Sequence, residues 1–328
     1  MIHRTRRTTL KSCLAASLAL LSSIAWAAPF PTRPVTLVVA YPAGGEVDVM
    51  ARLLAEKLSA RWKQPVVVEN RNGAAGTIGS AYVARSAPDG HTLLVAPNTF
   101  ITAPLVLHPG SGAKYDPITD FSPIAHLCDQ SLFVVVNKVT GVRSMQELVA
   151  RVNEGKVSAY ASPGNGSPMH ILGELLSRSA SITLTQIPYR GTAPGLADVL
   201  GGQVPMLFGT MQSIAQYLPS GNLVALAVAD TARSPFAPAV PTLAEAGFKN
   251  AEISTWQGFL GPKGMPDDLV RTLNQDVNAV LAMPDVASRM KDMAMIPGKG
   301  DAPTFARILA TDAKRYKKLV EDFRIQPD

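Results

Sequence analysis

The chain has 328 residues, with 31 bases against 25 acids, a formal charge of +6 and two cysteines. Four of the bases (Arg4, Arg6, Arg7, Lys11) and Cys13 fall in the first 27 residues, so the other 301 carry a net +2 and the single thiol of Cys128. That balance excludes a nucleic-acid binder held by a basic face, and one cysteine excludes a disulfide within the chain.

A basic start, an apolar stretch from Cys13 to Ile24 and the small-x-small triplet Ala25-Trp26-Ala27 form an export signal, expected to occupy 1–27 with the mature chain starting at Ala28. Thr5-Arg6-Arg7-Thr8-Thr9-Leu10-Lys11 approaches a twin-arginine signal, although Thr9 stands where a large apolar residue is preferred, so the general secretory and twin-arginine routes both stay open. No later apolar run is long enough to cross a bilayer. Export out of the cytoplasm is therefore expected.

From Ala28 the pattern is strand and helix in alternation. Val35–Ala40 is a nearly continuous apolar run, as in a strand covered on both faces. Val47, Met50, Ala51, Leu54, Leu58 and Trp62 recur every three or four residues and predict a helix. Pro65–Val68 reads as a strand, Asn70–Gly73 as a turn, Ile78–Arg85 as a helix and His91–Ala96 as a third strand. The pattern restarts after Pro123: strand Phe133–Val136, helix Met145–Val152, strand Val157–Ala161, helix through Ile171–Leu176, strand Ile182–Ile187, helix through Leu196–Leu200 and strand Val204–Phe208. Leu223–Ala229 is one more apolar strand, followed by helix signals at Pro266-Asp267-Asp268 and Pro284-Asp285. The expected architecture is α/β with two lobes, the first from 28–126 and 223–328, the second inserted as 127–222.

Three glycine-bearing turns lie at the carboxyl end of a strand and the start of a helix, the edge at which open α/β sheets take ligands. They are Ala40–Gly45, Ser162–Ser167 and Pro188–Ala193. Free amides at helix starts suit a small carboxylate or phosphate. Enzyme chemistry finds no footing: a P-loop lysine motif and Gly-x-Gly-x-x-Gly after the first strand are both missing. Gly164-Asn165-Gly166-Ser167-Pro168 puts proline where an oxyanion amide belongs, and His91, His108, His126 and His170 have no metal spacing. No catalytic residue, metal ligand or cofactor is expected.

Tyr41-Pro42-Ala43-Gly44-Gly45 with Asp48, Gln64–Arg71, Ala87–Leu94, Ser162–His170, Pro188–Thr192 with Leu200–Gln203, Pro241–Gly247 and Trp256-Gln257-Gly258 follow one another in the order found in a known family. Together they resemble the Bug family, the TctC-like periplasmic solute-binding proteins of tripartite tricarboxylate transporters. The resemblance covers essentially the whole chain after the leader. It implies a type II, Venus-flytrap fold whose lobes are mixed, mostly parallel sheets flanked by helices, and a monomeric receptor that passes a small organic acid to membrane permease subunits. A receptor reporting to a membrane sensor, or an enzyme acting on a small acid, are the other classes.

Carried onto this sequence, the resemblance assigns ligand contact to Ala43, Gly44 and Gly45 in the first lobe, to Ser162, Gly164, Asn165, Gly166 and Ser167 in the second, and to Gly191, Thr192 and Ala193 in the third turn, with Asn98 and Gln257 added. Asp48 either serves the dipole of its helix or meets the ligand. His170 packs, caps or lines the site. Arg190 stands where the family usually has lysine, and forms either a bidentate pair with a ligand carboxylate or a salt bridge. Glu46 departs further, an acid where family members carry a small or uncharged residue; it either caps its helix or faces an amine or hydroxyl of the ligand.

Overall fold

The computed structural model describes residues 30–107, 114–189, 191–253 and 255–325. The leader, His108 and Arg190 lie outside these. The first unit runs β1 (Val35–Val39), α1 (Glu46–Trp62), β2 (Val66–Asn70), α2 (Thr77–Ala84), β3 (Thr92–Pro97), α3 (Thr99–Val106) and β4 (Phe121–Gln130). The chain then crosses at Ser131 into β5 (Leu132–Asn137), α4 (Met145–Asn153), β6 (Ala159–Ser162), α5 (Pro168–Ala180), β7 (Thr185–Pro188), α6 (Thr192–Leu200), β8 (Met206–Thr210), α7 (Met211–Ile214) and β9 (Leu223–Val228). It returns through β10 (Thr255–Pro262), α8 (Asp267–Leu281), α9 (Pro284–Asp292), β11 (Ile296–Pro297) and α10 (Ala302–Phe323).

Two mixed sheets result, ordered β11-β4-β10-β3-β1-β2 and β7-β6-β8-β5-β9. In the first, β1 to β4 run one way and β10 and β11 the other; in the second, β5 alone of the described strands opposes the rest. The sheets are joined twice, at Ser131 and between β9 and β10. This is the two-lobed arrangement with an inserted second unit.

The strands shift the expected boundaries. Leu127–Gln130 belong to β4 in the first sheet, and Leu223–Val228 pair with β5 in the second, so the outgoing crossing lies four residues after the expected division at 127 and the return six residues after the one at 223. Pro123 disguises β4. It sits opposite Leu260 next to a register shift, where a bulge tolerates a residue without an N–H.

The apolar periodicity of α1 is buried as its spacing predicts: Met50, Leu54 and Leu58 are fully enclosed against β1 and β3. Trp62 closes the helix by donating its indole N–H to Asp276 of α8 at 2.6 Å. β10 is buried along its whole length. A Cβ on its Gly258 would overlap the Phe305 ring, so a small residue there lets α10 lie on the sheet. The other end of α10 meets the second lobe, where Arg178 of α5 donates to the Asp322 carbonyl at 3.2 Å and covers the Phe323 ring.

Candidate ligand-binding cleft

The first-lobe turn leaves β1 and enters α1 through Gly45, whose extended backbone (φ −74°, ψ 168°) caps the helix with no side-chain acceptor. Ala43, Gly44 and Gly45 are exposed. The amides of Gly45, Glu46 and Val47 have no acceptor among the described residues, as expected of a helix start left open for an anion. Gly44 is different. It takes a left-handed φ of +82° and donates its N–H to Asp48 Oδ2 at 2.8 Å. Asp48, 2% exposed, also accepts from Arg52 Nε (2.8 Å), Arg52 Nη2 (3.0 Å) and Asn70 Nδ2 (2.8 Å). Burial works against its charge, but these donors and the guanidinium outweigh it and hold the carboxyl below its ordinary pKa. Asp48 is therefore a brace for the turn, with the Gly44 amide committed to it.

The second-lobe turn is braced in the same way. The Gly166 N–H donates to His170 Nδ1 at 3.1 Å, one helical turn ahead on α5. Burial lowers the His170 pKa to about 4, so the ring is neutral near pH 7 and Nδ1 can accept. The Ser167 hydroxyl donates to the Gly164 carbonyl at 2.7 Å and accepts from the His170 N–H at 3.2 Å, capping α5. Ser162 Oγ accepts from Gln186 Nε2 at 2.6 Å and from the Gly164 N–H at 3.3 Å. Ser162, Ser167 and His170 are all under 10% exposed, while Gly164 and Asn165 are half-buried at the rim.

The third turn is the more open one. Gly191, at φ +109°, starts α6 without a side-chain cap; the amides of Thr192 and Ala193 and the Thr192 hydroxyl have no partner among the described residues. A cavity of about 10 Å³, room for roughly one water, lies between Ser162, Pro163, Thr192 and Leu207.

The lobes meet at the first turn and at Gly166 of the second. Glu46, the first residue of α1, reaches across to the end of β8 and accepts from Thr210 Oγ1 at 2.5 Å, while Gln130 Nε2 donates to its other oxygen at 3.3 Å. On the same seam Gly166 abuts Val106 of α3 so closely that a Cβ there would overlap it. Glu46 therefore faces the interlobe seam and does not cap α1. Gln257, 1% exposed, donates to Gln130 Oε1 at 3.1 Å and extends this chain into the first lobe. Asn98 follows Pro97, the partner of Gln257 across β3 and β10; fully buried, it donates to Tyr316 Oη (2.8 Å) and accepts from the Thr255 hydroxyl (2.9 Å), tying α3 to α10 and β10. Thr210 and Gln130 were not anticipated. Thr210 follows the expected strand Val204–Phe208 at its carboxyl end, a position that could have flagged it; Gln130 ends the strand that Pro123 disguised.

A larger cavity, about 280 Å³, opens at the lobe crossing among Asp129, Gln130, Ser131, Asp230, Glu252 and Arg315. Burial, with a smaller contribution from Asp129 against a Ser131 hydrogen bond, raises the Asp230 pKa to about 6. Among the described residues no group of three His, Cys, Asp or Glu is placed to hold a metal.

The sequence pattern described as the tripartite tricarboxylate transporter family receptor, TctC, matches residues 50–325. The chain belongs to this family. Among TctC relatives, the protein encoded between tcbD and tcbE in a Pseudomonas strain is 36% identical over 90% of this chain and 88% of its own length. BugT of Bordetella pertussis is 34% identical over 89% and 90%. Among solved structures, an R. palustris protein with adipate superposes with a TM-score of 0.83 at 30% identity, covering 91% of this chain and all of its own. MatC of Rhodopseudomonas palustris, with bound malate, gives 0.79 at 30% identity, covering 89% and 100%. The periplasmic binding protein BugD gives 0.80 at 31%, covering 91% and 100%. Of these similar structures one is a periplasmic binding protein, and two hold carboxylates.

Proposed function

We propose that this TctC receptor captures a small carboxylate between its lobes, outside the cytoplasm, and hands it unchanged to the permease subunits of a tripartite tricarboxylate transporter. The observation that carries the reading is the pair of open helix starts, Gly45–Val47 and Thr192–Ala193, on two lobes that touch through Glu46 and Thr210. Each exposed amide end stabilises an anion by roughly 0.3–1 kcal/mol, and more once closure excludes water. Closure follows as a population shift, because the ligand gains contacts to both lobes only in the closed form. The mature receptor acts as a monomer, after removal of the leader.

Among the described residues no group at the seam is arranged for catalysis. The hydroxyl of Ser167 caps a helix and the His170 ring is turned to Gly166, so neither serine near the turns is paired with a base. Isothermal titration calorimetry with malate, adipate, succinate and glutarate tests the reading. Saturable 1:1 binding, with the acid recovered intact, is expected. Consumption of the acid, or no binding by any carboxylate of this size, would overturn it.

A further inference from the structure

We propose that Glu46 makes this receptor select a ligand that carries an ammonium group beside its carboxylate, an amino acid or amino-dicarboxylate, over the corresponding plain acid. The inference rests on the carboxylate-receptor reading and names the substrate class of that same cleft.

Glu46 sits at the seam, partly buried, and has no ion pair among the described residues. Its two partners, Thr210 and Gln130, are neutral donors. Partial desolvation without a cation disfavours the charge, and a carboxylate ligand alone would add repulsion to it.

The amide chain behind Glu46 points the same way. An ionised carboxylate only accepts, so Gln130 must present its NH2 to Glu46 and its oxygen to Gln257. Gln257 then donates to Gln130, and its own Oε1 is left buried with no donor. The orientation of both amides is fixed by Glu46, and the chain ends in an acceptor lacking a partner. The seam thus offers two kinds of unfilled acceptor, the remaining lone pairs of Glu46 and Gln257 Oε1, within one hydrogen-bonded row. An ammonium brings three donors and a positive charge. The open amides of Gly45–Val47 lie on the same turn and suit the carboxylate of the same molecule.

Matched pairs differing only in the amino group test this: aspartate against succinate, glutamate against glutarate, phenylalanine against 3-phenylpropionate, with malate as the hydroxyl member of the first set. Thermal shift finds the pair of suitable size, and calorimetry on wild type and Glu46→Gln measures it. The expected result is binding of the amino member about tenfold or more tighter in wild type, with the ratio falling to within about twofold in Glu46→Gln. Wild type suffices if the variant fails to fold. Equal or tighter binding of the plain acid, strengthening at low pH, would mean that Glu46 binds in its protonated form, and would overturn the inference while leaving the receptor reading intact. Preference for malate over both aspartate and succinate would assign a hydroxyl, and overturn it as well. If no member of any pair binds, the receptor reading fails and this inference with it.

Discussion

The amide of Gly44 donates to the carboxylate of Asp48, four residues ahead, at 2.8 Å. The second lobe repeats the device with Gly166 and His170, again four residues apart, at 3.1 Å. In each turn a side chain from the first turn of the helix folds back to consume one glycine amide and fix the shape of the turn; in the first lobe the next amides stay free, whereas in the second the Ser167 N–H donates to the Gly164 carbonyl at 3.3 Å. Replacing Asp48 with Asn should therefore loosen the turn and lower stability by about 2 kcal/mol. The carboxyl is held below its ordinary pKa, so its stabilisation is complete above the unfolded value and is lost as pH falls through the lower folded value. Urea unfolding from pH 6 to 3 should show a steeper loss for wild type than for Asp48→Asn.

His170 has the same pH direction by a different cause. Its pKa is lowered by burial to about 4, below the unfolded value near 6.5. Between those values the unfolded chain binds the extra proton, so stability should fall as pH drops from about 6.5 to about 4, by up to about 3 kcal/mol, and level off below. His170→Asn, whose Oδ1 can still accept from Gly166, should fold without this component. Equal slopes in the two proteins would show that His170 is not the group responsible.

The hydroxyl of Thr192 has no partner among the described residues, so Thr192→Ala should leave the melting temperature unchanged while weakening carboxylate binding by about 1 kcal/mol, roughly fivefold. Ser162→Ala should lower both, because Ser162 Oγ is held by Gln186 and Gly164. Calorimetry paired with thermal melts separates the two.

Gly166 meets Val106 across the seam at a φ of +67°. Gly166→Ala should impede closure and weaken binding about tenfold or more, and Val106→Ala added to it should recover part of the loss. The unrecovered part is the left-handed backbone cost, about 1 kcal/mol. No recovery would place the effect in the turn alone.

The parts of this fold legible in the sequence were those with one period. Val35–Ala40 reads as a buried strand and Val47–Trp62 as a helix because burial there follows apolar residues directly. β4 and β10 were not legible: Pro123 and His126 interrupt one, Gln257, Gly258 and Gly261 the other, and both are defined by antiparallel partners distant in sequence. At the cleft, glycine turns announced where amides could be free but not which were already taken. Gly44 and Gly166 are spent on Asp48 and His170, and Ser162 and Ser167 on their own turn. The departure at Glu46 was visible, but its direction was not, since Thr210 lies 164 residues away.

Amide NMR during titration with the tightest-binding small carboxylate tests the central claim most directly. Closure on an anion held by both lobes requires Gly45, Glu46 and Val47 to shift together with Thr192 and Ala193, saturating at one equivalent, while the ligand's own signals stay those of the unaltered acid. Shifts confined to one lobe, or new ligand signals, would contradict it.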